Sequence, residues 1–443
     1  MLSDGRVVGA GGAVEVTGGV RDLVRAASVI ATVGCGALCT TCNYGEVVVV
    51  QPAAAAHGPF HLVLVPDPED SAVARKLGWS GRVPRAEVTI SPANSDTAVG
   101  PPVASLLTDG EGAASVADLP DGDYVVEVRR VLTAGEAAAL APTDDVVGFM
   151  AYAVVNRGED TVFVPGSHRH SIVISEWAFN DGWIPGTGEY YFGGYLELAN
   201  NSDTTVYLDG LVVGDAFALA FDTWAGACAE YEAMTNDPDG VWARYFDSVP
   251  GSGHTYPLAP GRTAVLATDA IDHSAVVPGG LDLSHADFEF IGEADVDNPS
   301  VPNLVDIGVA SFPWFGHGPI FALNAEAVPF VALPIDVQAL PRQRIPTGEE
   351  YVRVPRDRLL DVVAGNPTFQ FQWVPCPHLV HGNFDRHPAR MLTLAYKVVE
   401  VLSAHRKAAV VRPDGRVVLQ HTRSGIADFY LAPRTPWSLP SAR

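Results

Sequence analysis

The sequence predicts a mainly β protein: a regulatory-sized β-sandwich in front, a larger antiparallel β-sandwich region behind it, and few short helices. Three observations predict this. Short runs rich in Val, Ile and Tyr alternate apolar and polar residues with period two, as half-buried strands do. Turn formers separate them, with 43 Gly and 34 Pro in 443 residues. Helical periodicity is confined to short stretches around Ala138, at 224–234 and at 356–363.

At roughly 150 residues per domain, the length suggests two or three cores. A hydrophobic content of 47% against 18% charged residues describes a folded chain with a lightly charged surface. The 52 acidic and 28 basic residues leave a net charge of −24. That balance repels a phosphate backbone and argues against nucleic acid as a partner; it suits a solubilising surface.

Residues 1–45 read as a leader. Arg21 and Arg25 precede a small, apolar run at 26–34, and Cys35 follows. Basic, apolar, then a small-residue cleavage site is the order of a bacterial secretory signal. Cys35 is then the residue expected to carry lipid, although Thr32 stands three places before it where Leu is usual. Cys35, Cys39 and Cys42 also have the spacing of a radical-SAM cluster, in which three thiolates hold iron. The strand-rich text that follows lacks the strand–helix alternation of a barrel, and export would place these thiols where Cys39 and Cys42 can pair. No other stretch reaches the length of a membrane-spanning helix, so membrane contact is expected by lipid anchor only.

Residues 46–132 form the expected first sandwich. EVVVVQP, FHLVLVPD, AEVTISPA and DYVVEVRR are its strands; Asp109-Gly110 and Asp121-Gly122 make its turns, and Tyr124, Val126 and Val128 share one face. The passage TDGEGAASVADLPDGDYVVEVRR resembles the end of a carboxypeptidase-regulatory-like domain, a module that the resemblance implies to be a spacer or adaptor. TAGEAAALAPTDD, within 133–147, reads as a linker or short helix, and 148–443 as the second body, with recurring short strands and no internal repeat.

Within that second body, SIVISEWAFNDG followed by YYFGGYLELANNSDTTVYLDGLVVGD resembles a lamin-tail-like sandwich. Leu196 and Leu198 alternate with Glu197, 200–203 is a polar turn, and 206–211 is expected to return antiparallel. Further on, SGHTYPLAPGRTAVLATDAIDHSAVVPGGLDLSHADFEF, DVDNPSVPNLVDI and DGRVVLQHTRSGIADFYLAPRTP resemble the bacterial domain-of-unknown-function 4876 family, over roughly 149–436. The resemblance implies a β-rich fold, a secreted or lipid-anchored protein of the outer-membrane-bearing cell envelope, and service beside an outer-membrane receptor or another envelope protein. It brings no catalytic residues.

The residues that would carry chemistry are few. His168 and His170 in GSHRHS are two apart, which on a strand aims both imidazoles at one face, a start for a zinc or copper site that needs a third ligand. His378, His381 and His387, with Cys376 and Asp385, are the densest histidine group and suit zinc. Asp295 and Asp297 in DVDN alternate oxygen ligands as calcium loops do, without the Gly and Glu of an EF-hand. Glu176 and Glu197 are a carboxylate pair that would flank a cleft. Trp177, Trp183, Tyr190 and Tyr191 would form an aromatic contact surface for sugar or protein, or else fill the core. Neither a G-x-S-x-G elbow nor a nucleotide-binding glycine motif occurs. The expectation is therefore a non-enzymatic, lipid-anchored envelope protein that binds a ligand or partner, with calcium or zinc as the ions its residues would suit. The alternatives are a metal-dependent hydrolase using the histidine group and a purely structural surface protein.

Overall fold

Period-two alternation builds the front of the molecule as expected. In the computed structural model, which describes residues 57–94, 97–141, 143–178, 183–184, 188–190, 192–216, 233–291, 296–309, 328–345, 348–364 and 402–440, strand β1 (His57–Pro66) turns Phe60, Leu62 and Leu64 inward. The other strands of this sandwich are β2 (Glu87–Asn94), β3 (Thr97–Ala98), β4 (Ala104–Leu107), β5 (Ala113–Pro120), β6 (Asp123–Val131), β7 (Val146–Asn156), β8 (Glu159–Val164) and β9 (Gly166–His168). One sheet has the order β5-β1-β8; the other runs β3-β2-β6-β7-β9, with β4 also paired to β2. Tyr124, Val126 and Val128 share the core between them with Phe60, Leu64, Val88, Phe149 and Val164.

Local polar groups set the turns. Asp109 Oδ1 accepts the amides of Glu111 and Ala113, closing the turn before β5. Gly112 has φ +70°, and a Cβ there would lie 2.8 Å from the Arg82 Cβ and 3.0 Å from the Val83 nitrogen, so backbone shape and space both require glycine.

The expected boundary at 133–147 is crossed. β7 pairs antiparallel with β6 along that strand's whole length, from Asp123↔Asn156 to Val131↔Gly148. The intervening helix Ala134–Ala139 is an excursion from this hairpin, started by a capping box between Thr133 and Glu136. The first sandwich therefore runs to His168. β8 lies parallel to β1, a long-range pairing that no local pattern announces.

Behind it, two sheets face each other. The central sheet has six strands in the order Phe288–Glu289, Thr263–Ala267, Tyr195–Asn200, Ile172–Ala178, Leu402–Arg406 and Phe429–Pro433. The facing sheet has seven: Arg342–Arg344, Glu350–Pro355, Gly240–Ser248, Val212–Ala216, Pro329–Ala332 and Leu359–Val362 in order, with Val305–Asp306 also on Gly240–Ser248. Ile172, Ile174, Trp177, Leu196, Leu198 and Ala404 from one side meet Val213, Val331 and Val363 from the other.

Two local readings change here. Residues 206–211 do not return along Tyr195–Asn200, whose neighbours are Ile172–Ala178 and Thr263–Ala267. Instead Val206–Tyr207 pairs with Pro257–Leu258, and the chain passes to the facing sheet. The helix expected at 356–363 is a single 3-10 turn, Arg356–Arg358, followed by strand Leu359–Val362, where pairing with Pro329–Ala332 outweighs local periodicity. The polar turn at 200–203 is as expected: Asn200 Oδ1 accepts the Ser202 amide, and its Nδ2 donates to the Thr204 carbonyl.

Candidate functional site

Alternation along the central sheet sends Leu196 and Leu198 inward and Glu197 to the outer face, where two carboxylates meet. Glu176 lies opposite Glu197 in the register, beside a bulge that shifts the strand between Ile174 and Glu176. Each is 1% exposed. Glu176 Oε1 accepts from the Tyr195 hydroxyl, from Ser403 Oγ at 2.5 Å and from the Thr435 amide at 3.1 Å. Glu197 accepts from Ser175 Oγ at 2.7 Å and from the Trp437 amide at 2.5 Å. Burial, reinforced by the Glu176 charge, pushes the Glu197 carboxyl up to about 7. Glu176 Oε2 is buried and has no hydrogen-bond partner.

Ser403 and His405 complete this group. Ser403 Oγ lies 2.9 Å from His405 Nε2, and that nitrogen is 3.5 Å from Glu176. Serine, histidine and glutamate are the ingredients of a hydrolytic triad, but the geometry is different. A triad places the acid on one imidazole nitrogen and the serine on the other. Here serine, glutamate and the Pro433 carbonyl, at 3.0 Å, all gather at Nε2. The carbonyl can only accept, so Nε2 carries the proton, and the Ser403 hydroxyl gives its own to Glu176. These groups bind strands to one another and to residues 434–437, which cross above them. The expected cleft is closed.

A second buried group joins the front sandwich to the second body. His168 Nε2 donates to Asp70 Oδ1 at 2.9 Å, and Asp70 Oδ2 accepts the Gly166 amide at 2.7 Å. Burial works to raise the Asp70 carboxyl, but these bonds overcome it and hold the group below its usual range. β9 ends at His168, so His170 does not share its strand face. The two rings are 6.3 Å apart, and His170 lies against the His421 ring at 4.2 Å. Burial drives the His170 imidazole down to about 2, keeping it neutral. The His421 amide donates to Ser167 Oγ, and its Nε2 to Asp361 Oδ1 at 3.0 Å.

Asp361 also takes the Ile174 amide at 2.8 Å and Arg406 Nη2 at 2.5 Å. Burial opposes its charge, yet Arg406 and His421 hold the carboxyl well below the usual range. Arg406 is itself buried; it donates to the carbonyls of Ile174 and Gln420, sits 3.5 Å from Asp428 and stacks 4.4 Å over the Phe429 ring. Two further acids lie within the facing sheet. Asp215 accepts the Val328 amide and is pushed by burial up to about 7. Asp247 is pushed well up by burial and by Asp306, its cross-strand neighbour.

The expected contact surface is corrected at two positions. Trp177 is 0% exposed and belongs to the core between the sheets. Tyr190 is buried too, its hydroxyl 2.7 Å from His273 Nδ1. Trp183 lies on strand Trp183–Ile184, paired with Gly188–Glu189. Tyr191, Asp295, Cys376, His378, His381, Asp385 and His387 fall outside the described residues, as do Cys35, Cys39 and Cys42. Asp297 is exposed and accepts from Asn303, while Asn298 caps the next turn by accepting the Ser300 amide. Among the described residues no three His, Cys, Asp or Glu side chains are grouped to hold a metal ion.

Asp70, Asp361, Ser403, His405, Arg406 and His421 lie in no sequence motif that marks them as a group. The available signal was an acid and an arginine inside apolar strands, LLDVV and SAHRKAAVV.

Residues 259–435 match the family model described as protein of unknown function (DUF4876). Among solved structures, the chain is similar to a DUF4876 family protein from Bacteroides thetaiotaomicron VPI-5482, with 15% identity, a TM-score of 0.49, and coverage of 86% of this chain and 98% of that one. No curated protein matches the chain.

Proposed function

Since the chain belongs to the DUF4876 family through residues 259–435, we propose that it is a non-catalytic binding protein of the bacterial cell envelope. In this reading the front sandwich is an adaptor of the carboxypeptidase-regulatory-like kind, Cys35 carries a lipid anchor, and the second body holds a partner beside an outer-membrane receptor. The observation that supports it is the way the reactive side chains are employed. Ser403, His405, Glu176 and Glu197 bind the central strands to the C-terminal segment. Asp361, Arg406 and His421 join that sheet to its neighbours. Buried hydrogen bonds that tie separate strands together stiffen a scaffold, as a protein that presents a surface requires.

The test is recovery of the tagged, full-length protein from membranes of its own host after mild cross-linking, with mass spectrometry of what accompanies it and of its mature N-terminus. The expected result is one enriched outer-membrane partner and a lipid-modified Cys35. An unmodified peptide spanning residues 26–46 would refute the anchor. Recovery of no enriched envelope protein would refute the binding role.

A further inference from the structure

The segment that closes over the two glutamates is held differently from everything around it. Strands Ile172–Ala178 and Tyr195–Asn200 are interior to the central sheet, paired on both sides. Residues 434–439 belong to no strand. Arg434 Nη1 donates to the Gly193 carbonyl at 3.1 Å, the Thr435 amide reaches Glu176, and the Trp437 amide reaches Glu197. Trp437 Nε1 lies 3.2 Å from Asp287, the Ser438 amide turns back to the Thr435 carbonyl, and Leu439 rests on Val173, Ala199 and Leu419. Two of these fixings end on carboxylates that face each other across neighbouring strands.

We propose that residues 434–439 form a proton-operated latch over the outer face of the central sheet, shut while Glu197 holds a proton and released when that proton leaves. With that proton present, the hydroxyls of Tyr195 and Ser403 and the Thr435 amide serve Glu176, while Ser175 and the Trp437 amide serve Glu197. Without it, two carboxylates at directly opposed positions repel. The interior strands cannot part without breaking paired ladders, so relief comes by lifting the segment and admitting water.

The groups facing the pair give the sign. Strand Ile172–Ala178 brings Glu176 itself and Ser175, Tyr195–Asn200 brings Tyr195, and Thr263–Ala267 brings Thr263. Leu402–Arg406 brings Ser403 and His405, and Phe429–Pro433 brings Tyr430. The segment brings Arg434, whose Nη1 goes to a carbonyl, and Trp437; Asp287 adds a further acid under the indole. The elevated Glu197 carboxyl places release near neutral pH. Release uncovers two carboxylates, a histidine, a serine and a tyrosine on one sheet face, and does not depend on the envelope reading.

Amide hydrogen exchange of the full chain, read by mass spectrometry as protection corrected for intrinsic rates, tests this between about pH 6 and about pH 8.5. Protection at 434–439 should fall at least about tenfold as pH rises while that of β6 and β7 holds, and Glu197→Gln should keep the segment protected throughout. Constant protection in the natural chain would overturn the proposal. So would an unchanged pH profile in Glu197→Gln, or loss of protection by the whole central sheet together. If Glu197→Gln does not fold, Glu176→Gln removes the same charge pair, and the natural chain's own profile decides the matter if neither variant folds.

Discussion

The two buried polar groups of the central sheet balance their charge in opposite ways. At the junction, the Arg406 guanidinium stands between Asp361 and Asp428, with His421 on the other oxygen of Asp361. On the outer face two glutamates meet, and hydroxyls and amides do the compensating. The first group depends on ions staying ionised, the second on a proton staying bound. The two supports thus respond to pH with opposite sign.

The largest effect should come from breaking the ion network. Arg406→Met leaves Asp361 and Asp428 buried without their cation, and an uncompensated buried charge costs about 3–5 kcal/mol. Urea unfolding of the variant against the natural chain measures it. A pH series of the same unfolding experiment separates the groups. Asp361 has a folded carboxyl below its unfolded value, so its contribution is present above about pH 4 and lost as pH falls further. Glu197 has the reverse: raised to about 7, its contribution is complete at acid pH and lost as pH climbs through neutrality. Asp215, also raised to about 7, adds to the alkaline arm. Stability should therefore peak on the acid side of neutral, and Glu197→Gln should make the alkaline fall shallower while leaving the acid arm intact.

Smaller substitutions sharpen the contrast. Ser403→Ala removes one donor from Glu176 and should cost about 1–2 kcal/mol, with little effect on the acid arm. In the front sandwich Tyr124→Phe removes the 2.6 Å bond to the Pro120 carbonyl. It should cost about 0.5–1 kcal/mol at every pH, because no carboxylate shares that bond. Thermal unfolding of both variants at acid and at slightly alkaline pH checks the two together.

The β class was legible because single strands announce themselves. Phe60, Leu62 and Leu64, like Tyr124, Val126 and Val128, alternate against polar neighbours, and each set lies in one core. What the sequence left hidden is pairing between distant segments. Nothing local in VVGFMAYAVVN says that it completes the first sandwich rather than opening the second. Glu176 and Glu197 are visible as acids, but their donors Ser403, Thr435 and Trp437 come from more than two hundred residues further along. A carboxylate pair read without its cover looks like a cleft. The same distance hid the junction, since Arg406 and Asp361 are ordinary surface types until the fold buries them.

The parallel pairing of His57–Pro66 with Glu159–Val164 bears on the order in which the chain is made. Synthesis delivers the first strand long before the partner that covers its second edge. Until Val164 has left the ribosome, that edge stays open to any passing strand. A nascent chain stalled between β5 and β8 therefore has one edge of β1 paired and the other still open.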